Sequence, residues 1–160
     1  MGRRYTVPFT GTIANAGGNT DLIYLTPADD KPIKLLGFRF GNGSEIAEAQ
    51  EEGLTITVYR MTATVTVGSG GSAITPTPCQ AADTAAGFTA RANDTTVATT
   101  TGASTVFDEI AAINRNSPFE YWWGPEFACQ CPQASAIIIR LNTTVADDMT
   151  GSWCAYVEEE

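Results

Sequence analysis

Apolar residues in this chain recur at every second position over short runs and seldom at helical spacing. In "LTITVYR", Leu54, Ile56 and Val58 alternate with Thr55, Thr57 and Tyr59, the period of a strand with one buried face. "YTVPFTGTI" predicts a first strand, which Pro8 confines to an edge or a bulge because it lacks a ladder donor. "DLIYL", "IKLLGFRFG", "STVFDEIAAI", "SPFEYWWG" and "GSWCAYVEEE" predict further strands, set between Gly, Asn, Asp and Pro turns such as "NAGGNT" and "TPADDKP". "SAIIIRLN" is apolar on both faces, as in a central strand covered on each side. Residues 62–67 continue the alternation of the preceding strand, into a longer arm or a hairpin.

Two stretches break the strand pattern. "GSEIAEAQEE" predicts one short helix near 44–52, with Ser44 as its cap. "PCQAADTAAGF", residues 78–88, predicts a further helical turn. Residues 68–104 are poor in apolar side chains and read as long surface loops with short edge strands. With 160 residues and no internal repeat, the chain reads as one domain over 1–160. The fold class expected is all-β: a single antiparallel β-sandwich, jelly-roll-like, of about eight strands.

Charge and composition narrow the function classes. The net charge is −9, and the nine basic residues form no stripe, which argues against nucleic acid as a partner. No apolar run approaches the ~20 residues of a membrane-crossing helix, and "MGRRYTVPFTG" has no apolar stretch that would make a secretory signal. Histidine is absent, which removes Ser-His-Asp and Cys-His catalysis and His-containing zinc sites.

The remaining candidates are few. Cys79, Cys129, Cys131 and Cys154 lack the paired spacing of a zinc site, so no metal is expected there. A disulfide from Cys154 to Cys129 or Cys131 is one arrangement; free thiols, favoured without a secretory signal, are the other. The acid pairs Asp29/Asp30, Glu51/Glu52, Asp108/Glu109 and Asp147/Asp148 suit solvated turns better than a glycosidase cleft. Calcium shared between the Asp29/Asp30 and Asp147/Asp148 turns is the rival to be tested. In "EYWWGPEFACQC", adjacent Trp122 and Trp123 must point to opposite faces of a strand, one toward the core and one outward, toward a neighbouring subunit or a sugar.

"YTVPFTGTI…GGNTDLIYLTPADDKPIKLLGFRFGNGSE", "NRNSPFEYWWGPE" and "TVADDMTGSWCAYVEEE" together resemble a family of small β-sandwich virion structural proteins of tailed bacteriophages and prophages. The resemblance spans nearly the whole chain, and its motifs are structural rather than catalytic. It implies a non-enzymatic capsid decoration (cement) protein, made in the host cytoplasm and carried on the capsid surface of the virion. It implies a homo-oligomer, such as a trimer, with the major capsid protein as partner and with no cofactor. Arg3, Arg4, Tyr5, Trp122 and Trp123 are the expected interface residues, the first three on an N-terminal arm that reaches an acidic neighbour. A glycan-binding tail or fibre module and an extracellular β-sandwich filament subunit are the alternatives.

Overall fold

The computed structural model describes residues 2–15, 17–44 and 52–160. The strands in chain order are β1 (Arg3–Ile13), β2 (Thr20–Thr26), β3 (Ile33–Asn42), β4 (Gly53–Thr62), β5 (Val65–Thr66), β6 (Ser72–Ile74) and β7 (Thr77–Pro78). They continue with β8 (Thr89–Asp94), β9 (Thr99–Thr100), β10 (Ser104–Asn114), β11 (Phe119–Trp122), β12 (Cys129–Cys131), β13 (Ser135–Leu141) and β14 (Met149–Glu159). A single 3-10 turn, Pro125–Phe127, is the only helical element among the described residues. The helix expected near 44–52 lies, apart from its two end residues, outside the described residues.

Two six-stranded sheets face each other. One runs β11-β3-β14-β1-β7 with β12 also on β3; the other runs β10-β4-β13-β2-β8-β6. All the pairings are antiparallel and they are nested: β1 with β14, β2 with β13, β3 with β11, β4 with β10. This is a ribbon of paired strands wound into a jelly roll, so eight strands carry the expected fold. The other six are short additions. Five of them (β5 to β9) belong to residues 63–103, the excursion between β4 and β10.

The core lies between the sheets. Leu54, Ile56 and Val58 of β4 enter it, as their alternation predicts, opposite Val7, Phe38 and Trp153 of the other sheet. Pro8 sits where β1 has β14 on one side only, since β7 reaches no further than Thr6. β13 is covered on both faces: Ile137, Ile139 and Leu141 join the main core, while Ala136 and Ile138 join a second cluster with Tyr24, Met61 and Ala98. Ala98 shows what covers that outer face, namely the chain's own 63–103 excursion. The alternation over 62–67 turns out to be interrupted: Ala63 adopts φ 63°, β4 ends, and β5 pairs with β9.

A buried polar clamp holds this cover down. Asp21 of β2 is 1% exposed and accepts from Arg140 Nε at 2.5 Å and from the Ala98 amide at 2.6 Å. Arg140 also donates to the Ala98 carbonyl at 3.0 Å and lies 5.1 Å from the centre of the Tyr59 ring.

The turn expected within 78–88 is not helical. The segment has one reverse turn, Asp83 N to Gln80 O; the Cys79 amide donates to the Arg4 carbonyl, and three further backbone groups meet side chains. Tyr5 Oη donates to the Thr84 carbonyl, while Glu159 Oε1 accepts from the Gly87 and Phe88 amides at 2.7 and 3.1 Å. Such distant capping offers the backbone an alternative to i→i−4 bonds.

Candidate functional site

The twelve residues 120–131 divide among three environments. β11 pairs with the edge of β3, placing Tyr121 opposite Phe38 and Trp122 opposite Gly37. Period two then sends the two tryptophans apart. Trp123 is 9% exposed and joins the core; its Nε1 donates to Asp108 Oδ2 at 2.8 Å, so an edge of one sheet is tied to an edge of the other. Phe107 and Tyr121 pack edge-on against it at 6.0 and 5.1 Å between ring centres.

Trp122 faces out and is 51% exposed. Its ring lies across Gly37, where a Cβ would come within 2.6 Å of the indole, and stacks on Tyr156 of β14 at 4.4 Å between centres. Only glycine leaves room for the indole to lie flat there. Its Nε1 donates to the Glu120 carboxylate. Trp122 is therefore a presented aromatic surface, held from below by a neighbouring ring. Phe127, 69% exposed, extends the apolar exposure just beyond β11.

The other expected interface residues behave differently from one another. Arg3 and Arg4 are exposed, but they are no free arm: β1 pairs along its full length with β14, Arg3 opposite Glu159 and Arg4 opposite Glu158. Arg4 Nε meets Glu158 Oε2 at 3.1 Å, so the acidic group it reaches is the chain's own last strand. Tyr5 is 1% exposed and packs edge-on against Phe88. Its side chain is a core element and presents no surface. Trp123 is likewise interior, which leaves Trp122 as the outward aromatic of the expected set.

The cysteines form no site. All four are free. Cys129 and Cys131 point into the core from β12, whereas Cys154, between the core residues Trp153 and Ala155, points to the other face of the same sheet. No disulfide can join them through a sheet. Cys129 and Cys131 share a face, but two residues of strand separate their Cβ atoms by roughly 6–7 Å, beyond the ~4 Å of a disulfide. Burial pushes the Cys129 thiol from 9.0 to about 11 and the Cys131 thiol to about 12.

At mildly alkaline pH, native protein is therefore expected to expose one reactive thiol to a chromogenic disulfide reagent, that of Cys79, and four after unfolding. The raised values also fix a sign. The buried neutral thiols favour the fold fully below 9.0, and this contribution is lost as pH rises toward 11–12, so stability is expected to fall on the alkaline side. Two or more native thiols reacting at the Cys79 rate would contradict this burial.

The acid pairs resolve similarly. Asp29/Asp30 precede β3 beside the Glu159 end of β14; Asp147/Asp148 precede β14 at its Met149 end. The eleven-residue strand between puts them about 33 Å apart, so they share no ion. Asp148 caps the Asn15 amide at 2.9 Å, and Glu109 accepts from Thr57 Oγ1 at 3.2 Å. Of the pair Glu51/Glu52, Glu51 lies outside the described residues, and Glu52 holds Arg115 and the Ala146 amide. Among the described residues no cluster of three or more Cys, Asp and Glu could hold a metal, and no helix is long and apolar enough to cross a membrane. No family model, curated protein or solved structure matches the chain.

Proposed function

We propose that the protein is a non-enzymatic structural component of a tailed-bacteriophage particle, a decoration protein seated on the capsid surface through contacts with the major capsid protein and with copies of itself. The observation that carries this reading is the presented Trp122–Tyr156 pair on an outer sheet face, a rigid aromatic surface of the kind that anchors protein interfaces. Glu52, Asp108, Glu109 and Asp148 are engaged in capping or pairing, and Cys129 and Cys131 in packing. The jelly roll is a scaffold used by capsid and lectin domains alike, so it supports the setting without deciding the role. The sequence resemblance to virion structural proteins favours the capsid side of that choice.

Purified particles provide the test. The protein is expected at stoichiometric copy number, with its density on the head, and particles lacking it are expected to lose resistance to heat. Absence from particles would end this reading. The outward indole beside the Glu120 carboxylate also favours a second reading, a glycan-binding tail or fibre module. Binding on a glycan array that disappears in folded Trp122→Ala protein would select it.

A further inference from the structure

The two sheets end in opposite situations. In one, the outer face of β2, β13 and the adjoining part of β4 is covered by the 63–103 excursion, with Ala98 and Val65 packed on Tyr24 and Ile138. Among the described residues, the outer face of β11-β3-β14-β1 has no such cover. Its side chains follow from alternation with the core residues: Pro8 and Thr10 on β1, Cys154 and Tyr156 on β14, Arg39 on β3, Trp122 on β11. It is a smooth face of small and hydroxyl residues at one end and stacked aromatics at the other.

Its charge is unlike that of the rest of the chain. Arg4, Lys34 and Arg39 stand there with Glu120, Glu158 and Glu160, three of each sign, in a protein of net charge −9. Arg4 pairs with Glu158 and Lys34 with Glu160. That leaves Arg39, exposed and in cross-strand register with Glu120, while the Glu120 carboxylate is turned to Trp122 Nε1. Arg39 makes no salt bridge with any described residue.

We propose that this face is where two copies of the chain meet, sheet against sheet, about a two-fold axis close to Arg39. An isologous contact brings residue i to j and j to i, so adjacent Arg39 and Glu120 make the face its own electrostatic complement. Local neutrality lessens, at this face, the repulsion between two chains of charge −9. The aromatic anchor is preorganised, and beside it Arg4, Leu36, Cys79 and Trp122 line a groove of about 130 Å³ that accepts a side chain from the partner. β1, β3 and β14 are ten or eleven residues long and the shorter β11 and β12 fill part of a fourth column, a face up to roughly 19 by 33 Å and at most about 600 Å² per copy. Two copies together then bury up to about 1,200 Å², at the lower end of the range of specific interfaces.

The proposal rests on the reading of the chain as an assembling protein, but the two fail separately. Sedimentation of the full chain from micromolar to millimolar concentration is expected to show a monomer–dimer equilibrium. Arg39→Glu is expected to weaken it about tenfold, and Arg39→Glu with Glu120→Arg to restore it to within about threefold of the unsubstituted chain. Trp122→Ala is expected to weaken it by about tenfold or more, with unchanged far-ultraviolet circular dichroism and a cooperative thermal transition as the check on folding. Cys79, at the groove, is expected to be alkylated more slowly as the dimer fraction rises. A chain that stays monomeric throughout, or a dimer indifferent to both single substitutions with Cys79 alkylated at the monomer rate, would overturn the proposal. If such a monomer still occupied purified particles, the decoration reading would stand without this face.

Discussion

Asp21→Ala is expected to lower the free energy of unfolding by about 3–5 kcal/mol, the largest effect of any single substitution at a polar position here. The loss is more than one ion pair. The carboxylate is 1% exposed and takes both Arg140 Nε and the Ala98 amide. Its removal leaves a guanidinium with a side chain 11% exposed and a buried amide without an acceptor. Because Ala98 is tied to the sheet by this clamp and the small cluster beneath it, residues 95–100, beyond the pairing of β8 with β2, are expected to lose protection from amide exchange ahead of the rest.

The same site yields a sharper comparison. Burial pushes the Asp21 carboxyl above its ordinary 3.8, outweighing the hydrogen bonds from Arg140 and Ala98 that lower it. That direction means desolvation costs more than pairing recovers. Asp21→Leu combined with Arg140→Met is therefore expected to be closer to the unsubstituted chain than either single change. With the folded value raised, this carboxyl favours folding fully below 3.8 and less as pH rises through the raised value, so it does not drive acid unfolding. Urea titration of the four variants decides the matter; a cost below about 1 kcal/mol for Asp21→Ala would remove the clamp from the account.

Trp153→Ala is expected to cost a similar 3–5 kcal/mol, for a different reason. Trp153 is 1% exposed at the middle of β14, and its Nε1 donates to the Leu22 carbonyl of the opposite sheet at 2.7 Å. Its ring stacks on Phe40 and meets Phe9 at 5.1 Å. Truncation opens a cavity between two rigid sheets that cannot close around it, and also leaves a carbonyl unsatisfied. Trp153→Phe keeps most of the volume but loses the donor, and is expected to cost about half as much. Thermal unfolding followed by circular dichroism measures both, and equal costs for the two variants would show that the hydrogen bond, not the volume, dominates.

The sequence was most informative where one strand carries its own evidence. The alternation in β4 and the two-sided apolar run of β13 name their faces without any knowledge of a partner. The opposition of Trp122 and Trp123 is legible for the same reason, because period two is a property of the backbone. What stayed hidden depends on contacts between residues remote in the chain. Asp21 and Arg140 are 119 residues apart, and nothing local to "NTDLIYL" marks its aspartate as buried. Tyr5 looked like an arm residue because its pairing with Val157 cannot be seen from "GRRY". The turn within 78–88 went astray likewise: its alanines favour helix, but the groups that hold it belong to Arg3, Tyr5 and Glu159. Which thiols face the core also required the register of β12 on β3.

The nested pairing has a kinetic consequence. β1 obtains its full-length partner only when β14 exists, and β2 waits in the same way for β13, so the defining contacts span almost the whole described chain. Loop-closure entropy opposes each of them until late, and a fold of such high contact order is expected to form slowly, in the manner of other long-range β-sheet proteins. During synthesis β1, β3 and the Trp122 strand precede the strand that sits between β1 and β3 in the sheet. Until β14 leaves the ribosome that sheet is split into open edges, and the nascent chain is most prone to misassociate in this interval.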